Sequence, residues 1–226
     1  MMIWGVDWQP LLLTFYLASV TTVILLVIGI PLAWWVSRTQ IAAKPIIETI
    51  ISMPLVLPPS VLGFYLLLAF SPQHAFGLWL EQYLQIRLIF SFSGLVIGSV
   101  IFSLPFMVQP IQAALQNLPS SLAEASRTLG KSEWHTLLRV LLPNIKPALL
   151  AGTVLSFAHT VGEFGVVLMI GGNIPGVTKV ASIAIYDEVE SLHYAAANVY
   201  AAVLAGVTFA ILLLVYVMNR HWRART

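Results

Sequence analysis

The sequence predicts an all-α, polytopic membrane protein with about five transmembrane helices and a short helix in a polar loop between two of them. Three observations carry this reading. Hydrophobic residues make up 59% of the 226-residue chain and charged residues 9%, with a mean hydropathy of +0.90; soluble domains carry roughly a quarter charged residues. Five apolar runs reach the ~20 residues that a bilayer core demands, over residues 11–35, 46–70, 89–115, 147–170 and 198–218. Lys and Arg fall unevenly between the connections. Arg38, Lys44, Arg127, Lys131, Arg139, Lys146, Arg220, Arg223 and Arg225 share one side, and only Arg87 and Lys179 the other. By the positive-inside rule the first side is cytoplasmic, which puts the N-terminus outside and the C-terminus inside.

The first run follows Trp4 and Trp8, which read as interfacial anchors or as exposed aromatics on a tail. It lacks a preceding basic stretch and is too long for a cleavable signal. The second run contains Met53-Pro54-Leu55-Val56-Leu57-Pro58-Pro59. Proline removes a backbone donor, so Pro54, Pro58 and Pro59 must break or kink this span. Irregular backbone at membrane depth is tolerated where it lines a cavity or is buried in protein. The prolines are therefore part of a pathway or gate, or a packing kink. The third run carries Gly94 and Gly98, followed by Ser99 and Ser103. Small residues at this spacing let helices approach closely. Ala202 and Gly206 repeat the pattern in the fifth run.

In the fourth run Gly152, Ser156, His159 and Glu163 share one helix face, with Thr160 beside them. Glu163 is the only carboxylate deep in this run, and intramembrane ionisable residues point first to function. A carboxylate repels an anion, so a structural or gating role, through backbone donors, His159 or a second subunit, is favoured over substrate contact. His159 is a candidate cation or a neutral, hydrogen-bonded ring. The loop over residues 171–197 holds Asp187, Glu188 and Glu190, and its segment 181–189 can form a short surface helix or a partial span.

The cytoplasmic loop, residues 119–143, is the most structured of the polar segments. Pro119 stops the third span. Ser121 with Glu124 three residues later reads as a capping box. Gly130 suits the position just past a helix C-terminus. Ser132 can cap a second helix with Glu133 in its first turn. Pro143 and Pro147 lead into the fourth span.

Glu124-Ala125-Ser126, three residues, Gly130, nine residues, then Val140, Leu142 and Pro143 resembles the coupling loop of ABC importer permeases. Ser126 stands for the third alanine and Val140 for isoleucine. Together with the proline run, Gly162-Glu163-Phe164-Gly165 and Gly172-Asn173-Ile174-Pro175-Gly176, the chain resembles the molybdate permeases from about Trp8 onward. Sulfate and thiosulfate permeases share the Gly-Glu-Phe-Gly stretch and a related loop, and are the alternative. The resemblance implies a type I ABC importer permease forming one transmembrane domain over residues 1–226 in a bacterial inner membrane. It implies a homodimer, two ATP-binding cassette ATPase subunits docked on the loops, a periplasmic molybdate-binding protein outside, and membrane lipid around. Glu124, Ala125, Ser126, Gly130, Leu142 and Pro143 then couple to the ATPase. Pro54, Pro58, Pro59, Ser156, His159, Gly162, Glu163 and Gly165 are the pathway or gate candidates.

Other classes fit poorly. The chain has no cysteine and a net charge of +2, which argues against disulfide scaffolds, thiolate metal sites and nucleic-acid binding. Gly130-Lys131-Ser132 mimics the end of a phosphate loop but lacks its first glycine, which is Ala125 here, and a preceding strand. His74, His135, His193 and His221 show no metal-ligand spacing. No cofactor and no catalytic residue is expected. A membrane enzyme would need acidic or His clusters at a membrane face, and the sequence offers only Asp187, Glu188 and Glu190. No Lys or Arg lies within a span, which suits a conduit that binds its ion weakly enough to release it.

Overall fold

The computed structural model describes residues 2–3 and 6–223; Trp4 and Arg225 lie outside the described residues. Strands β1 (Met2–Ile3) and β2 (Val6–Asp7) form a small antiparallel ladder. The rest is helical. In chain order the helices are α1 (Gln9–Arg38), α2 (Lys44–Ser52), α3 (Pro59–Phe70), α4 (Ala75–Leu84), α5 (Phe92–Gln116) and α6 (Ser120–Thr128). Then come α7 (Glu133–Thr136), α8 (Leu142–Asn144), α9 (Lys146–Val161), α10 (Gly165–Gly171), α11 (Ala181–Glu190) and α12 (Tyr194–Arg223).

Among the described residues α1, α5 and α12 are long and apolar enough to cross a membrane unaided. The second apolar run is not one rod. It is α2, a 3-10 turn at Met53–Leu55 and α3, with a bend of 109° between the two halves. Pro58 and Pro59 explain the break: Pro58 is extended, with ψ near 133°, and Pro59 opens α3 at a position where its missing N–H costs nothing. The fourth run is also divided. A stretch from Glu133 to Asn144 meets α9 at 86°, and α9 ends at Val161, three residues before α10. If each bent pair counts as one crossing, the chain crosses up to five times.

α1, α5 and α9 pack on one another at the centre, around Leu25, Met107, Val108, Ile111, Leu137 and Ile145. Lipid is as apolar as these side chains, so close packing rather than expulsion from water holds them together. Glycines set the approach. A Cβ on Gly29 would sit 2.8 Å from Met107, and one on Gly98 2.7 Å from Ile170 of α10. The pair Ala202 and Gly206 behaves otherwise. Both are exposed, and no atom lies within 4 Å of a Cβ built on Gly206. Within this chain that pair makes no helix contact, because α12 packs on α9 and α11 and leaves most of its surface open. The segment 181–189 forms the body of α11, and α4 is an additional helix that the sequence pattern did not suggest.

Candidate functional site

The polar loop folds as α6, a turn and α7. The capping box is not formed. α6 begins one residue earlier, after Pro119, so Ser121 is already inside the helix and no side chain caps its start. Gly130 does end the helix. Its φ is +70°, the N–H of Lys131 reaches the Ser126 carbonyl at 3.1 Å, and the N–H of Gly130 reaches that of Arg127 at 2.8 Å. These two bonds are a Schellman turn, which needs a residue that accepts left-handed backbone. Ser132 caps α7, its Oγ accepting from the His135 N–H at 3.2 Å.

The two short helices are tied from within. Ser126 is buried and its hydroxyl lies 2.8 Å from that of Thr136. The Thr136 hydroxyl donates to the Ser132 carbonyl, so Ser126 is the donor in that pair. Serine at the position of the third alanine therefore makes a bond that alanine cannot. Glu124 and Ala125, by contrast, are exposed. Glu133 receives Arg127 Nε at 2.8 Å and also pairs with Arg38 at the end of α1. Arg38 first and then Arg127 hold its carboxyl down at about 2. Arg38 in turn lies over the Trp34 ring at 4.9 Å, and Trp134 of α7 packs on the same ring at 5.6 Å. The loop is thus clamped to the first span. Leu142 and Pro143 follow a π-helical turn at Leu137–Leu141 and sit in α8, just before the bend at Ile145. Such turns are short and recur at functional sites.

At membrane depth the two helix breaks meet. A Cβ on Gly165 would stand 2.8 Å from Pro59 Cβ, and one on Gly63 of α3 2.8 Å from Met169 of α10. Pro59 and Gly165 are thereby in contact, whereas Pro54 is buried below them beside α5. The break at Gly162, Glu163 and Phe164 is held from outside: Ser182 of α11 donates to the Glu163 carbonyl at 2.6 Å, and Tyr186 packs on Phe164.

The polar stripe of α9 faces α5. Ser103 Oγ is 3.0 Å from His159 Nδ1 and 3.0 Å from Thr160 Oγ1, and Phe106 stacks on the His159 ring at 4.0 Å. His159 is therefore hydrogen-bonded and enclosed by rings. Glu163 does not pair with it. Both Glu163 carboxylate oxygens and the Ser156 and Ser99 hydroxyls are buried without a well-formed hydrogen bond, with Ser99 the side chain beside Glu163. Ser156, His159, Thr160 and Glu163 thus lie along one seam; within this chain the Glu163 carboxylate meets neither His159 nor a backbone donor. The Arg38–Glu133–Arg127 clamp and Ser103 were missed by sequence reasoning. The clamp joins residues 95 positions apart, and nothing local signals it. Among the described residues no group of three or more His, Cys, Asp or Glu can hold a metal.

A family model described as "binding-protein-dependent transport system inner membrane component" matches residues 25–226. The chain is 45% identical to the molybdenum transport system permease protein ModB of Azotobacter vinelandii, over 95% of both chains. It is 31% identical to the sulfate transport system permease protein CysT of Escherichia coli, over 88% of this chain and 72% of that one. Among solved structures it is similar to the inward-facing MetNI methionine ABC transporter, with a TM-score of 0.70 at 18% identity over 96% of this chain and 95% of that one. A bacterial alginate ABC transporter in complex with its alginate-loaded periplasmic protein gives a TM-score of 0.74 at 18% identity, covering 94% of this chain and 78% of that one.

Proposed function

We infer the function from one premise: the chain belongs to the family of binding-protein-dependent transport system inner membrane components. It is a multi-pass membrane subunit, and we read it as the permease of an ATP-driven importer for molybdate, with tungstate carried as a close chemical analogue. The observation that carries the substrate is the 45% identity to a molybdenum permease along almost the whole chain. The lower identity to a sulfate permease makes sulfate the competing substrate.

Two copies enclose the path, with N-termini outside and C-termini in the cytoplasm. Two ATPase subunits seat on the α6 loops, where Glu124 and Ala125 are exposed and Gly130, Leu142 and Pro143 shape the turn and the approach to α9. A loaded periplasmic binding protein docks outside, near residues 171–197. There Asp187 is held by Lys179 Nζ at 2.5 Å and by Asn173, which stiffens the loop. Closure of the ATPases on ATP displaces α6 and α7. The bend at Ile145 passes this to α9, and α9 passes it to the break at residues 162–164, against Pro59 and Gly165. ATP is hydrolysed on the separate ATPase subunits, and this chain makes and breaks no covalent bond.

The test is isotopic molybdate uptake in cells lacking their own importer, expressing this chain with its ATPase and binding protein. Uptake blocked by tungstate and indifferent to excess sulfate is the expected result. Sulfate import without molybdate import would assign the protein to the sulfate branch.

A further inference from the structure

Two polar stripes face each other in the inner half of the bundle. On α5, Gln109, Gln112 and Gln116 recur at steps of three and four, which is one helix face. On α2, Glu48 and Ser52 are four residues apart on one face, with Thr49 beside Glu48. Gln109 Nε2 donates to Ser52 Oγ at 2.9 Å, and Gln112 Nε2 donates to Glu48 Oε1 at 2.6 Å. Two open grooves run along these helices and share Glu48 and Ser52.

Gln109 and Gln116 are exposed. Gln109 lies seven residues before the end of α5, which at ~1.5 Å per residue is about 10 Å up the helix from its inner end. Facing hydrocarbon, an amide there would keep its second N–H and its carbonyl unpaired at considerable cost. The exposed face of α1 shows what lipid selects: Leu12, Val23 and Val27. The glutamine face is its opposite in character and needs water or a polar solute against it.

We propose that the α2–α5 face lines the inner vestibule through which the oxyanion leaves, with Gln109, Gln112 and Gln116 as its amide donors. This rests on the permease reading above. A tetrahedral oxyanion accepts N–H and O–H bonds, and neutral amides and the Ser52 hydroxyl offer them without a fixed cation that would trap it; the Thr49 hydroxyl is already given to the Pro45 carbonyl. The one carboxylate, Glu48, is offset by Gln112 and by Lys44, whose Nζ lies 4.0 Å away. One turn above Gln109 on the same face is Phe106, stacked on His159.

The chain contains no cysteine, so single-cysteine variants need no prior replacement. Gln109→Cys, Gln116→Cys and Val27→Cys are made in the full transporter and treated in inside-out vesicles with a membrane-impermeant maleimide. Gln109→Cys and Gln116→Cys are expected to react and Val27→Cys to stay unmodified. In parallel, Gln109→Leu and Gln116→Leu should each lower molybdate uptake about tenfold, the scale of one hydrogen bond to an anion, with the complex intact. An unreactive Gln109→Cys overturns the proposal. So does a disulfide between two copies at that position without maleimide reaction, which places the face in a closed subunit interface. Unchanged uptake in both leucine variants removes the donors' role. If the parent complex imports no oxyanion at all, the substrate reading fails, while the labelling pattern still decides whether this face is wet.

Discussion

Gly130 offers a clean way to separate the shape of the α6–α7 loop from its contacts, and so to test the proposed coupling. Its φ of +70° closes the Schellman turn, and no atom lies within 4 Å of a Cβ built there. A side chain therefore meets no clash, and the cost of substitution is the local backbone penalty alone. For an L-residue in left-handed backbone that penalty is roughly 1–2 kcal/mol, or about a 5- to 30-fold shift away from the native turn. Asparagine tolerates this region, alanine less so, and a β-branched valine least. The series Gly130→Asn, Gly130→Ala, Gly130→Val should then lower the number of anions imported per ATP hydrolysed in that order, with asparagine close to the parent. The assay is reconstituted transporter with binding protein, measuring uptake and phosphate release together. Equal coupling across the series, or asparagine as damaging as valine, would refute the claim that the turn geometry transmits the stroke.

Three further outcomes follow from the same coordinates. Ser126→Ala removes the donor to Thr136, whose own hydroxyl keeps its bond to Ser132; a loss of about 0.5–1.5 kcal/mol in complex stability is expected, read as a lower melting temperature. Glu133→Gln should loosen the tie between the loop and α1. With a carboxyl held at about 2 against an ordinary 4.5, the stabilisation is complete above the ordinary value and is lost as pH falls toward the depressed one. The stability gap between parent and variant should therefore shrink below pH ~4.5 and also with added salt; both ion pairs are exposed, so the gap at neutral pH stays within about 1 kcal/mol per pair. Gly165→Ala places a methyl 2.8 Å from Pro59 and should cost about 1–3 kcal/mol by overpacking, whereas Gly206→Ala, which meets nothing, should leave monomer-level stability unchanged by the same melting assay.

What the sequence made legible followed local rules. Prolines 58 and 59 announced a break because a missing N–H acts wherever it stands. Gly130 and Ser132 announced a turn and a cap because both act within four residues. The capping box failed on the same scale: Ser121 and Glu124 have the right spacing, but Pro119 had already started α6 and placed Ser121 inside it. The gap at residues 162–164 carries no proline, and the sequence reads 147–170 as one unbroken span. Long-range ties were illegible. Arg38 with Glu133, Ser103 with His159 and Gln112 with Glu48 join distant segments, and a lone polar residue in an apolar run does not reveal which neighbour it will meet.

α9 is where these features become one device. It is 16 residues long, about 24 Å at ~1.5 Å per residue, and its two ends are the bend at Ile145 and the break before Gly165. Below, it continues from the π-helical turn and α8. Above, α10 is locked to α3 by the close approaches at Gly165 and Gly63. The surface between α9 and α5 mixes small and polar groups with Met107, Phe102 and Phe106. Gly152 lets the Met107 carbonyl approach to 3.2 Å of a Cβ position, and Ser103 bonds to His159 and Thr160. Hydrogen bonds between membrane helices average only about 0.6 kcal/mol, so exchanging one partner for another along this seam costs little, whereas shearing interlocked branched side chains would cost far more. On the proposed coupling, a push on the α6–α7 loop would meet a stiff α10–α3 unit, and the non-helical residues Gly162, Glu163 and Phe164, with Ser182 bonded to the Glu163 carbonyl, would be the place to absorb it. On the proposed reading Glu163 gates rather than contacts the anion: its carboxylate oxygens are buried, while the proposed amide donors lie further along α5, beyond Phe106.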